Sequence, residues 1–364
     1  MTVPRPPRAQ GRVAPEDKVR RVNPPRWLQR IRVDRFLLAI ITSAVIASIL
    51  PARGSGVEVF SWLTKIVIGL LFFLYGARLE PREAIQGARH WRLHGLILSF
   101  TFLVFPVIGV ALHPLLSHVI SPDLYAGLLY VTLVPSTVQS SVNFTSIARG
   151  NVAGAIVSAS FSNLIGVFIT PLLVLLLLPT AGGLHIQASA LGDIVLQLLV
   201  PFIVGQLSRP LTARFVVEHR RQLKYVDQAS IVLVVYSAFS AGMREHIWSS
   251  IDLVSLAIVL LVVLAMLAFM LWFTWTVAGR LGFNRADRIA IQFCGTKKSL
   301  ATGLPMASVL FAGSPVGLIV LPLMVFHQSQ LMACGSIAGH YARQAEDAER
   351  LRRQSLPTVQ TNLG

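Results

Sequence analysis

The chain is poor in charge. Only 13% of its 364 residues are Asp, Glu, Lys or Arg, while 54% are hydrophobic. A soluble domain carries roughly a quarter charged residues, so the composition excludes one and points to a polytopic membrane protein. Negative charge is the scarcer sign: 16 Asp and Glu stand against 32 Lys and Arg, a net charge of +16. A nucleic-acid-binding protein would gather that surplus on one folded face. Here it is scattered through the tails and the short segments between apolar runs, which excludes that class. Cysteine is confined to Cys294 and Cys334, both in apolar runs. They are too few for a disulfide framework and read as free thiols. Enzyme signatures are missing too. There is no G-x-S-x-G, H-E-x-x-H or Walker motif, and no nucleophile, base and orienter set inside the apolar runs, so the chain does not read as an enzyme. A signal peptide is excluded at the start: residues 1–35 are too long, too basic and too Pro-rich, and no small-residue cleavage site follows. They read as a basic cytosolic tail, or, at 27–33, as an interfacial segment with Trp27 and its neighbouring arginines on anionic headgroups.

Long apolar runs are what the chain has in abundance. A membrane-spanning helix takes about 20 mostly apolar residues, and ten runs answer to it. The first five are 36–51, 60–79, 93–116, 124–148 and 152–178; the second five are 191–207, 226–243, 253–281, 286–311 and 316–338. Basic residues mark the cytosolic side of a membrane protein. Ten Lys and Arg up to Arg35 place the N-terminus in the cytosol. Arg82, Arg89, Arg92, Arg149, Arg209, Arg214, Arg220, Arg221, Lys224, Arg280, Arg285 and Arg288 then fall in alternate loops, and Arg343, Arg350, Arg352 and Arg353 in a cytosolic tail at 342–364. The outward loops keep only Arg53 and Arg244. The reading is an all-α integral membrane protein of ten transmembrane helices, both ends inside, in the cell inner (plasma) membrane.

The halves run alike: three helices, a polar broken helix, then a long apolar helix. Five helices per half put the halves in opposite orientation, so 36–341 forms two inverted repeats, about 36–179 and 191–341. Such repeats place a substrate site at mid-membrane, where the discontinuous helices meet.

Two polar clusters mark those helices. Cys294-Gly295-Thr296-Lys297-Lys298-Ser299-Leu300-Ala301-Thr302-Gly303 puts two lysines, two glycines and three hydroxyls inside an apolar run. Ionisable residues at that depth are costly and mark pathways. Either the helix breaks there and turns backbone groups toward a ligand, or the lysines sit at a helix end and snorkel into water. In the fourth run, Pro135 interrupts helical bonding, and eight of the eleven residues from Ser136 to Ser146 are polar. Ser136, Gln139, Ser140 and Asn143 are spaced to share one helical face. They could hold a small cation, hydrogen-bond a substrate, or act as polar glue between helices. In the fifth run Ser158 and Ser162, one turn apart, could face the fourth, with Ser160 and Asn163 beside them. In the tenth, His327, Gln328, Ser329 and Gln330 form a polar island, His327 being a candidate proton relay or substrate hydrogen-bonder. Lys65 reads as a snorkelling or cavity-facing lysine, and Asp193 and Asp227 as interfacial.

The residues 134–151, ending Ala148-Arg149-Gly150-Asn151, together with Cys294–Ala307 and Leu321-Pro322-Leu323 before His327, resemble the bile acid:sodium symporter family, in the branch of solute carrier family 10 member 7 and its bacterial relatives. The resemblance covers about 33–341. It implies a panel domain built from helices one, two, six and seven, and a core domain built from the other six, in which the two broken helices cross with sodium bound behind them. It aligns Ser141 with a serine sodium ligand, with Asn143 one residue away from an asparagine ligand. The fifth-helix hydroxyl positions fall on Ala155 and Ala159, beside Ser158 and Ser160. In the ninth helix the family's Glu and Gln ligands align with Phe293 and Lys297. A lysine ammonium there stands where a sodium would bind, and like charges repel strongly at low dielectric.

The expectation is therefore a secondary active transporter that moves a small anionic organic solute by alternating access. Lys297, Lys298, Ser299, Thr302, Gln139, His327 and Gln330 would bind substrate. Ser140, Ser141, Asn143 and Ser158 would form at most a single sodium site, and no other cofactor is expected. The partners are the solute and the bilayer; no nucleic acid is expected, and no protein partner is indicated. The alternative is a non-transporting membrane regulator of ion homeostasis, in which the polar clusters are structural.

Overall fold

A computed structural model describes residues 35–78, 90–181, 192, 195–244 and 252–355. The basic tail with its 27–33 segment, Arg82, Arg89 and Asp193 lie outside the described residues. Those described are helical, with no strand among them. In chain order the helices are α1 (Arg35–Ile49), α2 (Ser55–Arg78), α3 (Trp91–Leu116), α4 (Pro122–Leu133), α5 (Gln139–Ile147), α6 (Val152–Ala181), α7 (Val195–Leu207), α8 (Arg209–Glu218), α9 (Arg220–Arg244), α10 (Leu253–Arg280), α11 (Arg285–Thr296), α12 (Leu300–Leu310) and α13 (Val316–Ser355). Six of them, α2, α3, α6, α9, α10 and α13, are long and apolar enough to cross a membrane; α7 and α8 form a bent pair, turned by 90°, that makes a seventh candidate. Large apolar side chains point outward along these helices. Trp62 is 62% exposed, Leu261 68% and Trp272 61%, as lipid-facing residues are and as a water-soluble surface could not be without aggregating.

The starts of the helices follow from local chemistry. Helices leave their first N–H groups unpaired, and a Ser, Asp or Asn oxygen satisfies them. Ser121 caps α4 through Leu124 N, Asp252 caps α10 through Ser255 N, Asn284 caps α11 through Asp287 N, and Ser299 caps α12 through Thr302 N. Pro122 stands in the first turn of α4, where its missing N–H costs nothing.

The helices pack as two groups. In the first, α2 lies along α7 and α9, and α1 along α9. Ser43 donates to Val232 O (2.8 Å), the Thr64 and Ser237 hydroxyls meet at 2.7 Å, and Arg78 pairs with Asp227. A side chain at Gly76 would run into the backbone at Phe202, and one at Gly205 into the backbone at Phe73. Small residues here let the α2 and α7 backbones close to van der Waals distance, as packing in lipid requires. The second group is α3–α6 and α10–α13. Helix α9 bridges the groups by resting on α12 and α13, and Tyr75 of α2 donates to Ala301 O on α12 at 3.3 Å. Lys65 lies on an exposed face of α2, stacked over Trp62 at 5.2 Å.

Candidate functional site

Two interruptions meet inside the second group. Helix α4 ends at Leu133, and α5 begins at Gln139. Helix α11 ends at Thr296, and α12 begins at Leu300, leaving Lys297–Ser299 extended, with Lys297 at φ −84°, ψ 146° and Ser299 at φ −86°, ψ 110°. The second break falls within the Cys294–Gly303 stretch, at Lys297–Ser299. Gly295 remains helical. A Cβ there would come 3.1 Å from the Phe100 ring, so the glycine serves close packing rather than the bend. The two breaks touch directly: Ser299 N donates to Pro135 O (2.8 Å), and Ser136 Oγ donates to Cys294 O (2.7 Å).

Breaking a helix frees backbone groups that must find new partners when buried. Side chains supply many of them here. Ser136 N donates to Ser162 Oγ (3.1 Å), and Asn163 Nδ2 donates to Ser136 O (2.6 Å). Thr170 Oγ1 donates to Leu133 O (2.9 Å), and Tyr130 OH to Gly303 O (2.6 Å). Thr302 Oγ1 donates to Asn163 Oδ1 at 2.8 Å, so Asn163 on α6 braces both breaks at once. Gln330 on α13 grips the peptide groups of Lys298 from both sides. Its Oε1 accepts from Lys298 N, and its Nε2 donates to Lys298 O, each at 2.8 Å. His327 Nδ1 stands 2.9 Å from Gln330 Nε2 and 3.3 Å from Lys298 O.

The two lysines go to different places. In extended backbone successive side chains alternate in direction. Both Lys297 and Lys298 are fully buried. Lys298 Nζ donates to Thr101 O (2.9 Å), Thr132 O (2.7 Å) and Val134 O (2.9 Å), with the Phe105 ring 4.2 Å away. Lys297 Nζ lies over the Phe144 ring at 4.1 Å, with the Cys294 and Cys334 thiols close by, and has no hydrogen-bond partner. Neither lysine snorkels to the surface.

The remaining expected residues divide. Lys297, Lys298, Ser299, Thr302, His327 and Gln330 gather at the junction. Ser136 lies in the break, before α5 starts, and so does not share the face of Gln139, Ser140 and Asn143. Gln139 and Asn143 are exposed along α5 together with Ser146. Ser141 is buried, facing Cys294, and Ser140 bonds Thr137 Oγ1 at 2.8 Å. Two residues along an α-helix is about 200°, so Ser141 and Asn143 point to different faces rather than at a common ion. Ser158 is buried against His94 Nδ1 on α3, at 2.6 Å. Asp227 pairs with Arg78.

Several participants had no signal in their own side-chain types. Thr101 acts through its carbonyl. The turn Phe100–Val104 is π-helical, with Phe105 N bonded to Phe100 O, so the next donor in that register would come from residue 106, a proline with no N–H. Pro106 therefore leaves Thr101 O free; a proline five residues on is the one available hint. At one end of the group Asn151 Nδ2 donates to Asp287 Oδ1 (2.7 Å) and Asn284 Nδ2 to Asp287 Oδ2 (2.8 Å). This ties the turn after α5 to the start of α11.

Residues 34–343 match the SBF-like CPA transporter family (DUF4137). The chain is 51% identical to the uncharacterized protein PA2026 of Pseudomonas aeruginosa, over 88% of this chain and 96% of that one. It is 30% identical to Sodium/bile acid cotransporter 7-B of Xenopus laevis over 84% of this chain and 90% of the relative. It is also 30% identical to Sodium/bile acid cotransporter 7 of Rattus norvegicus over 84% and 92%. With a match that runs from the start of α1 into α13 and takes in both helix breaks, the chain belongs to the SBF-like CPA transporter family, whose members are transporters like the bile acid:sodium symporters.

Proposed function

We propose that this protein is a secondary transporter of the cytoplasmic membrane that carries a small organic anion by alternating access. The observation that carries the reading is Lys297: a fully buried amine without a hydrogen-bond partner, placed where two broken helices meet. Burying a charge with no partner costs several kcal/mol, and the stacked Phe144 ring returns about 2 kcal/mol of that. A carboxylate or similar anion reaching the junction would supply the missing partner. The N-termini of α5 and α12 lie beside it and favour negative charge. Ser299 and Thr302 would orient the solute, with Gln330 and His327 holding the break in shape around it. Gln139 and Asn143 would line the approach.

The order of elements supports ten spans in two inverted repeats. Helices α1, α2, α3, the α4–α5 pair and α6 are followed by α7, α9, α10, the α11–α12 pair and α13, with the break in the fourth member each time. The group α1, α2, α7 and α9 would be the panel, and the remainder the core that moves. The basic loops put both termini in the cytosol. Two of the relatives carry sodium and bile acid in their names. Here Lys297 stands in place of a ligand, and Ser141 and Asn143 diverge. We expect transport to need no sodium, or a single ion.

The test is uptake of labelled organic anions into proteoliposomes, first against external sodium at fixed pH and then against pH without sodium. Uptake that persists in sodium-free buffer, or that rises with sodium hyperbolically as for one ion, is the expected result. Uptake that vanishes without sodium and rises sigmoidally with it would refute the reading and restore a two-sodium mechanism.

A further inference from the structure

The surroundings of Lys298 form a cation site that is already filled from within. Three backbone oxygens from two helices converge on one nitrogen: Thr101 O at 2.9 Å, Thr132 O at 2.7 Å and Val134 O at 2.9 Å. Each is free for a separate reason. Pro106 removes the donor that Thr101 O would meet in the π-helical register. Ser136 N, four residues beyond Thr132, turns to Ser162 Oγ instead. Val134 is extended, at φ −74°, ψ 153°, past the end of α4. Three acceptors take all three hydrogens of an ammonium, whereas a neutral amine has only two to give. The Phe105 ring covers the group at 4.2 Å, adding an aromatic face of the kind that attracts cations. The negative end of the α4 dipole points at the same spot.

Rings of backbone carbonyls are how proteins bind bare monovalent cations, the oxygens replacing the hydration shell. We propose that Lys298 is a tethered cation occupying a monovalent-cation site made of Thr101, Thr132 and Val134 carbonyls, and that removing its side chain opens this site to free ammonium-type and alkali cations. The positive charge at this point is thereby carried by the chain itself and needs no ion from the medium. Lys298 is in this sense a positioning residue. It ties α3, the end of α4 and the α11–α12 break into one unit, while the amine of Lys297 remains available. The inference stands apart from the identity of the solute, because its test reads stability and needs no transport.

Lys298→Ala removes the atoms from Cγ to Nζ, which together are those of n-propylammonium. The full-length variant is expressed and solubilised with n-propylammonium chloride throughout, then exchanged into graded concentrations for thermal unfolding in detergent. A saturable rise in apparent melting temperature is expected, of roughly 5–10 °C once the amine reaches about a hundred times its dissociation constant. Potassium should give a smaller rise, and tetramethylammonium, which has no N–H, none. Wild type should respond to none of these salts. Lys298→Met keeps the bulk without the donors and should be less stable than wild type and indifferent to every cation. The proposal is overturned if Lys298→Ala is insensitive to n-propylammonium or cannot be recovered in its presence, whatever Lys298→Met does. It is also overturned if wild type shows the same rise or if Lys298→Met is as stable as wild type.

Discussion

Lys297→Met should make the protein more stable and less useful. The substitution keeps an unbranched, flexible side chain of similar length and removes only the charge and its donors. In the native protein the amine is fully buried, with no hydrogen-bond partner and the Phe144 ring at 4.1 Å. A buried ion costs several kcal/mol after relaxation, and a desolvated cation–π contact offsets about 2 kcal/mol. The balance left for methionine to recover is roughly 1–3 kcal/mol, which corresponds to a rise in melting temperature of roughly 3–10 °C at the scale of larger domains. Transport should move the other way. Losing a charged hydrogen bond to the solute costs about 1.5–3 kcal/mol, a ten- to hundredfold fall in uptake at about 1.4 kcal/mol per tenfold. The assay is paired: melting of the purified variant, and flux from the same preparation in proteoliposomes, each beside wild type. A lower melting temperature would show that Lys297 is a structural residue whose partner the reasoning has missed. A higher one with wild-type flux would show that the amine does not meet the solute.

Gln330→Leu leaves the buried N–H and C=O of Lys298 without their partners, at about 1–3 kcal/mol each. Its melting temperature should fall by more than about 5 °C, and Gln330→Glu, which keeps the acceptor for Lys298 N, should fall between; equal stability of all three would show that the grip is dispensable. Gly205→Val drives a side chain into the backbone of α2 at Phe73 and should abolish the monodisperse peak in size-exclusion chromatography; a normal peak would mean that α2 and α7 separate readily.

The breaks themselves were legible in sequence because their causes are local. Pro135 removes a donor, and the run of hydroxyls after it offers substitutes. The second break lies in the stretch that the sequence marks, but Gly295 does not make it: its constraint is the Phe100 ring of a distant helix. Adjacent lysines suggested a shared positive patch. Extended backbone sends them to different neighbours, and nothing in the pair Lys297–Lys298 announces which will find acceptors. The acceptors are main-chain oxygens, and every residue type has one. Thr101 therefore carried no signal beyond Pro106 ahead of it, and Asp287 none at all, since its partner Asn151 is far away in sequence. The resemblance places Ser141 and Asn143 at one sodium site; the turn of α5 separates them.

The charge on Lys298 has an electrical consequence. Its partners are neutral oxygens, and Lys297 beside it has only an aromatic ring, so wherever α11 and α12 travel the two lysines take two uncompensated elementary charges along. Carrying such a charge across a membrane potential changes its energy by about 2.3 kcal/mol per 100 mV. In a cell that is negative inside, the empty carrier is drawn inward and held there, and its outward return becomes the voltage-sensitive step. On the proposed cycle a bound monoanion would cancel the charge of Lys297 and leave that of Lys298, so the loaded form would cross with about half the electrical work of the empty one. The resting potential would then set how often the carrier resets, apart from any solute gradient.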